Sequence, residues 1–442
     1  MTLTRAVACL LFFCVMSAGA DPDWPRVEAH AINLLQQYVR IQSVNPPADT
    51  RQAAQLLKQE FASFGLEAEL YQSDANGKTN LLVRLPGKDR SQRPLLLLNH
   101  MDVVPADASR WKRDPFGAQI EGDEIWGRGT LDMKSTGIMQ LTALTLLKQL
   151  GIVPPRDILF LAVCDEETGG AEGAAWMIKN HWNELNPEYV LDEGGVGSRD
   201  LYAPGKLVFG ISVAEKQVLW LRLRAQGTSG HASQPIADNV NDLLIRAIEK
   251  AQHFQPSQKN NPVLEKMRHE VGSFAANKFM NAVQQNTMSV TSLRSGVGTP
   301  PKANVIPSVA EATLDCRLLP GENAEEFVSD IKARINDPRV MVEQISRKPD
   351  DAQPSSTDTP LYRAIEAAFR KENAGASVGA IVVPYATDGQ KFRMRGIPAY
   401  GTIPMIVDFS VVSTMHSDSE HIPLDQFRKG LHIYFDILRS AY

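Results

Sequence analysis

Cysteine is scarce in this chain. Four occur in 442 residues, and Cys9 and Cys14 sit in an apolar N-terminal segment. The other two, Cys164 and Cys316, each lie inside a strand-like apolar pattern, where a free thiol packs as a small hydrophobe. Two distant thiols make no disulfide framework, so the fold is expected to rest on a packed core. Long apolar runs are missing too. The run over 6–16 is too short to span a bilayer comfortably. With Arg5 before it and Ser17-Ala18-Gly19-Ala20 after it, it has the layout of an export signal cut before Asp21. A retained anchor is the competing reading. Neither cysteine of the segment follows a convincing lipobox, which disfavours a lipoprotein. The remainder is expected to be exported, to the periplasm or outside the cell, and to leave the membrane once cut. A basic block is absent as well. A net charge of −5 and a pI of about 6.0 leave no electrostatic footprint for nucleic acid.

What is present is ordinary for a soluble globular protein: 43% hydrophobic and 22% charged residues. The length suffices for two domains and a large core. The most informative stretch is Cys164-Asp165-Glu166-Glu167-Thr168-Gly169-Gly170. The apolar run 158–163 before it is short, β-prone and bounded by turn residues, so it reads as a buried strand. It delivers consecutive acids to the strand's C-terminal end. Adjacent carboxylates repel, and a cation between them relieves the repulsion. A divalent metal would serve: one glutamate binds it, and the other takes a proton from the water it activates. An exposed acidic turn before a helix, favoured by the dipole, accounts for the same heptapeptide without any chemistry.

Other stretches share this layout. Helical spacing covers 24–41, a second helix begins after Asp49 or Thr50 and runs to about Phe64, and strands follow at 66–72 and 79–85. The strand at 94–100 is almost wholly apolar, as in a sheet covered on both faces. It ends in His100-Met101-Asp102, where the histidine could bind metal and Asp102, on the same side of the strand, orient its ring. A loop histidine with a chance acidic neighbour is the plainer account. The glycines of Gly127-Arg128-Gly129 permit a tight turn. Asp132 then precedes an amphipathic helix with Ile138, Leu141, Leu144, Leu147 and Leu150 on one face. It is either a plain N-cap or a ligand whose oxygens bridge two ions. A short strand at 189–191 is followed by Asp192-Glu193-Gly194-Gly195. Ligands at the C-terminal ends of strands are what an open α/β sheet gathers into one crevice.

The order H-x-D, D-M-K, E-E-x-G-G, an acid at a strand end and a distant histidine resembles the dizinc exopeptidase and aminoacylase family. That family includes carboxypeptidase G, aminoacylase, acetylornithine deacetylase and succinyl-diaminopimelate desuccinylase. The resemblance covers essentially all of the chain after the N-terminal segment. Leu191-Asp192-Glu193-Gly194-Gly195 is nearest the aminoacylase and carboxypeptidase S branches. It implies an α/β fold: a mixed-sheet, phosphorylase/hydrolase-like zinc-peptidase catalytic domain at 21–213 and 350–442. Into this is inserted a ferredoxin-like βαββαβ lid, the dimerisation domain, at 214–349. It also implies two zinc ions per chain, with cobalt as a substitute. His100, Asp132 and Glu193 would hold one ion; Asp132, Glu167 and His416 would hold the other, with Asp132 bridging. Asp102 would orient His100, and Glu166 would be the general base toward metal-bound water. His416 is preferred to His421 because Met415-His416-Ser417-Asp418-Ser419-Glu420 has the family's H-x3-E spacing. His30, His181, His253, His269 and His432 lie in helical or loop contexts without such partners and are read as structural.

The middle of the chain has a different pattern. A half-exposed strand at 216–225 is followed by a helix at 239–254, strands at 288–293 and 309–318, a helix at 324–335 and a strand at 340–345. This is the order of the split βαβ motif. An extra, mostly helical stretch at 257–286 lies inside it, and a helix over 424–442 ends the chain. The resemblance assigns three residues here. His231, in Gly227-Thr228-Ser229-Gly230-His231, would reach the partner subunit's active site and stabilise an oxyanion. Asn304 and Arg317 would hold the substrate's free carboxylate, a task the arginine fork suits. A turn histidine and a strand-end ion pair are the plainer accounts. The expected activity is zinc-dependent hydrolysis of an amide or peptide bond next to a free carboxylate, of carboxypeptidase or dipeptidase type. An N-acyl-amino-acid amidohydrolase is the alternative. A catalytically inactive binding module is disfavoured by the complete ligand set with Glu166. The expected partners are a small peptide or N-acyl amino acid and, through the lid, a second copy of the chain.

Overall fold

A computed structural model of the protein describes residues 21–254, 261–346 and 351–440. The expected export signal, the start of the extra stretch, the end of the lid and the last two residues of the C-terminal helix lie outside the described residues. No helix among those described is long and apolar enough to cross a membrane.

Eight strands form one mixed sheet. Their order is Ala68–Gln72, Thr79–Leu85, Ile158–Val163, Leu95–His100, Tyr189–Ser198, Ala399–Ile406, Val208–Glu215 and Ser377–Val383. The middle four run parallel to one another. Leu95–His100 and Ile158–Val163 are buried at every position, so their continuous apolar runs reflect cover on both faces. Leu95, Leu97, Ile158 and Phe160 point into the larger core with the helices Trp24–Arg40, Lys134–Gln149 and Leu424–Ser440. Leu96, Leu98, Leu159 and Leu161 point the other way, against the helix Ala174–Asn180 and Phe392.

One helix against this sheet and one of its strands differ from expectation. Lys134–Gln149 is not amphipathic; it is buried continuously from Lys134 to Leu147. Its second face carries Ser135, Thr136, Thr142 and Thr145, small enough to pack closely, and Thr145 satisfies its hydroxyl on the helix's own Leu141 carbonyl at 3.0 Å. Tyr189–Ser198 is a ten-residue buried strand, so Glu193 lies inside it rather than after it.

The second sheet is antiparallel, in the order Thr287–Arg294, Val309–Leu318, Gln217–Gln226 and Val340–Gln344. Its helices, Val240–Gln252 and Ala324–Ile335, cover one face only. Leu219, Leu221, Leu223 and Ala225 accordingly alternate with exposed or half-exposed neighbours. The two-layer ferredoxin-like arrangement is thus present as an insertion between Val208–Glu215 and Ser377–Val383.

The extra stretch goes elsewhere than expected. Its helices Pro262–Val271 and Lys278–Val283 send Leu264, Met267, Val271, Met280 and Val283 into the core of the large sheet, not into the lid. Lys216, at the crossing between the sheets, fixes this attachment. Its Nζ donates to the carbonyls of Ala282 and Gln285 at 2.8 Å each and to Thr287 Oγ1 at 2.9 Å. Burial, with Arg317 adding, lowers its pKa to about 7.

Candidate metal centre

Ile158–Val163, Leu95–His100 and Tyr189–Ser198 bring their C-terminal ends to one edge of the sheet, the place where open α/β sheets bind ligands. His100 ends its strand and is buried. Its Nδ1 lies 2.9 Å from the Asp102 carbonyl, and its Nε2 lies 2.9 Å from Asp132 Oδ1 and 3.6 Å from Glu193 Oε1. The other oxygen of Asp132, Oδ2, lies 2.9 Å from His416 Nε2, which is 3.3 Å from Glu167 Oε2. Asp132 therefore stands between two histidines, each with a glutamate beside it. Ligand-capable atoms of His100, Asp132 and Glu167 fall within 4.8 Å of one another, as do those of His100, Glu166 and Glu193.

Each side chain is held by its surroundings. The pairing of Tyr189–Ser198 with Ala399–Ile406 shifts register between Gly401 and Thr402, a bulge that turns Glu193 out of the pleat. The close approach requires glycine: a Cβ on Gly401 would lie 1.9 Å from the Glu193 carbonyl oxygen. The loop carrying Asp132 is gathered by Glu420. That buried carboxylate accepts from the N–H groups of Gly129, Leu131 and Asp132 at 3.0, 2.8 and 3.2 Å and from Arg128 at 2.7 Å. The H-x3-E spacing thus ties the His416 segment to the Asp132 loop. His416 itself has φ 62°, a left-handed conformation uncommon for a non-glycine residue and typical of functional sites.

The expected role of Asp102 divides in two. Its main-chain carbonyl, not its carboxylate, orients His100; the carboxylate is 3.7 Å from Nδ1. The carboxylate instead accepts the N–H groups of Glu166 and Glu167, both at 3.2 Å, and Asn45 Nδ2 at 2.7 Å. Asn45 also reaches Thr168 Oγ1 at 3.2 Å. Asp102 and Asn45 together therefore fix the turn that presents the two glutamates.

The electrostatics match the crowding. Burial raises the Glu166 carboxyl well above its ordinary range; His100 opposes this, and Asp388, Glu167 and Asp132 add to it. Burial and Asp132 raise Glu193 similarly. Asp132 is lowered despite burial, by its contacts with His100 and His416. His416 is raised to about 10 despite burial, by Asp132 and Glu167. Glu167 Oε1 is buried with no hydrogen-bond partner. A surplus of carboxylates with an orphaned oxygen, converging with two imidazoles, is a donor set that fits divalent cations.

The lid residues are placed differently. A cavity of about 590 Å³ runs from Asp132, Glu166, Glu193 and His416 to Val218, Trp220 and Arg317 of the lid. Arg317 is in its wall, but its Nε and Nη2 are engaged by Asp315 at 2.6 and 3.0 Å. His231 and Asn304 are exposed and outside this wall. They lie side by side, because Gly230–His231 pairs with Val305–Ile306 and Ala232 N–H donates to the Asn304 carbonyl at 3.0 Å. His421 stacks on Trp126 at 4.0 Å. Three of the histidines read as structural form simple ion pairs away from this centre: His30 with Glu60, His181 with Glu184 and His432 with Glu28.

Beyond Asn45, sequence reasoning missed Tyr385, Thr387 and Lys391, which line the cavity, and Asp388, which pairs with Lys391 at 2.7 Å. Ser377–Val383 runs antiparallel to the strands that carry the candidate ligands, so the strand-end rule gives no signal for Thr387 or Asp388.

The chain matches the family described as Peptidase family M20/M25/M40 over residues 96–440. It is 28% identical to Aminoacylase-1 of Mus musculus over 421 residues, covering 94% of this chain and 96% of that protein. It is 27% identical to Probable carboxypeptidase S-like 2 of Dictyostelium discoideum over 392 residues, 82% of this chain and 74% of the relative. Among solved structures it resembles the M20 family metallo-carboxypeptidase Sso-CP2 from Sulfolobus solfataricus. The TM-score is 0.71 at 20% identity, covering 93% of this chain and 99% of the other.

Proposed function

The chain belongs to peptidase family M20/M25/M40 and is a metal-dependent hydrolase of that family; from its site we propose that it cleaves an amide or peptide bond next to a free carboxylate, as a zinc-dependent carboxypeptidase or dipeptidase. The observation that carries this is Asp132, each of whose oxygens lies 2.9 Å from a different histidine. Two imidazoles and three carboxylates suit zinc. On this reading His100, Asp132 and Glu193 hold one ion, and Asp132, Glu167 and His416 hold the other. When bound, the ions polarise the scissile carbonyl and acidify water for attack at neutral pH.

Glu166 performs the proton transfers. It shares a turn with Glu167 but has none of Glu167's contact with His416, and burial makes it a stronger base than an exposed glutamate. As water oxygen bonds to the carbonyl carbon, its proton passes to the Glu166 carboxylate. As the C–N bond breaks, Glu166 returns that proton to the departing nitrogen. Asp102 and Asn45 keep the turn in place through both steps. Arg317, in the cavity wall, holds the free carboxylate, joined by Asn304, which lies beside His231 and like it acts from a second copy. His231 stabilises the oxyanion from a second copy of the chain, joined through the lid. Its exposure, and its place outside the cavity wall of its own chain, support a role in trans. The pattern at 5–20 supports export to the periplasm or beyond.

The test is a panel of dipeptides, N-acyl amino acids and their carboxamide analogues given to zinc-loaded protein. Turnover confined to substrates with a free carboxylate is expected. Equal turnover of the carboxamides would remove the carboxylate-adjacent reading, and no turnover of any amide would remove the hydrolase reading.

A further inference from the structure

Beside the main cavity lies a second, smaller pocket that shares Tyr385 and Met415 with it. It has a volume of about 10 Å³ and no charged side chain in its lining. Its walls begin at the metal centre, since Leu131, Gly194 and Met415 directly adjoin Asp132, Glu193 and His416 in the chain. Together with the wall shared at Tyr385, these neighbours place the pocket beside the centre.

Two of the walls are fixed. Val196 N–H donates to Tyr202 Oη at 3.1 Å, and Tyr385 Oη donates to the Gly194 carbonyl at 2.9 Å. Both hydroxyls are thus engaged by the strand that carries Glu193, leaving ring faces to line the pocket. Phe279 differs. It comes from the short helix Lys278–Val283 of the extra stretch, is only half-buried, and meets Tyr202 edge-on at 6.1 Å. It packs at the margin of the large core.

We infer that this pocket receives the acyl side of the scissile amide and that Phe279 sets how large an apolar group enters. The inference rests on the amide-hydrolase reading above. The direction follows from charge. A free carboxylate needs cations, and Arg317 and Lys391 both belong to the main cavity. The opposite end of the substrate is left for the uncharged pocket, where a charged group would be desolvated without a partner. The volume is at the lower limit for a single water, so the chain as it stands takes only the smallest side chains and resists larger ones. In a hydrophobic pocket one methylene changes kcat/KM by about 10–200-fold.

The experiment compares zinc-loaded wild type with Phe279→Ala and Phe279→Leu on Ala-Leu, Phe-Leu and Glu-Leu and on N-acetyl- and N-hexanoyl-leucine. Wild type is expected to favour the small acyl groups by about 10-fold or more and to handle Glu-Leu worst. Phe279→Ala is expected to raise kcat/KM for Phe-Leu and N-hexanoyl-leucine relative to their small counterparts by a similar factor, with Phe279→Leu between. Metal content and the rate on Ala-Leu report whether each variant is folded, and Phe279→Leu carries the test if Phe279→Ala is not. Unchanged ratios in a folded, metal-loaded variant would overturn the pocket while leaving the hydrolase reading intact. A wild type inert on the whole series would overturn that reading and the pocket with it.

Discussion

The two sheets of this molecule are built from one chain by different rules. The large sheet is covered on both faces, and its central strands are buried throughout. The lid sheet is covered on one face, with Trp220 44%, Met341 50% and Leu293 65% exposed. The same contrast holds for the candidate functional residues. His100, Asp132, Glu167 and Glu193 are each fixed by strand ends, a bulge or charge-assisted bonds to buried carboxylates. His231 and Asn304 sit on an exposed two-strand ribbon. The comparison teaches that the candidate metal ligands are preorganised within a single chain, whereas on the proposed reading His231 and Asn304 act only with a second copy. Changes to the ligands in the large sheet should therefore abolish chemistry locally, and loss of His231 should be rescued by another copy.

The largest effect should come from Asp132→Ala, which removes the group between the two histidines. Turnover is expected at background, with bound metal lost, as read by kinetics and elemental analysis. Glu166→Gln keeps shape but not proton affinity, so kcat should fall about 10²–10⁴-fold with metal retained. Loss of metal from Glu166→Gln together with its retention in Glu167→Gln would reverse the assignment of the two acids. His231→Ala should lower kcat by about 10²–10³-fold, and this loss is where the two sheets separate. Mixing Glu166→Gln with His231→Ala chains should restore part of the activity, because one site of the mixed dimer is intact. No rescue, with subunit exchange demonstrated, would place His231 in cis. Asn45→Ala should cost about 10–100-fold, as loss of supporting contacts around a metal site does. The smallest chemical effect belongs to Leu223→Ala in the lid core. It should destabilise the lid by about 2–5 kcal/mol and leave metal content unchanged, which thermal unfolding and metal analysis together would reveal.

Much of this architecture was legible in the residues. Thr79–Leu85, Ile158–Val163, Val309–Leu318 and Ala324–Ile335 lie where apolar periodicity puts them, because burial on one or both faces writes that period directly. The full burial of the helix Lys134–Gln149 is not visible in its residues, because serine and threonine look like a solvent face, yet at this size they pack beneath other helices. The extra stretch lies within the lid's span of sequence, while its apolar face docks on the large sheet. Asn45 left no trace, since a single asparagine has no periodicity and its partners are distant in sequence. The division of labour at Asp102 was hidden for a related reason: a main-chain carbonyl carries no residue-type signal.

The central claim is that one chain holds a two-metal centre on which hydrolysis depends. It is tested most directly by stripping the protein with a chelator and titrating zinc back while following both bound metal and hydrolysis. The account predicts no activity in the stripped protein and a return that saturates near about two zinc ions per chain. Full activity in metal-free protein would contradict it.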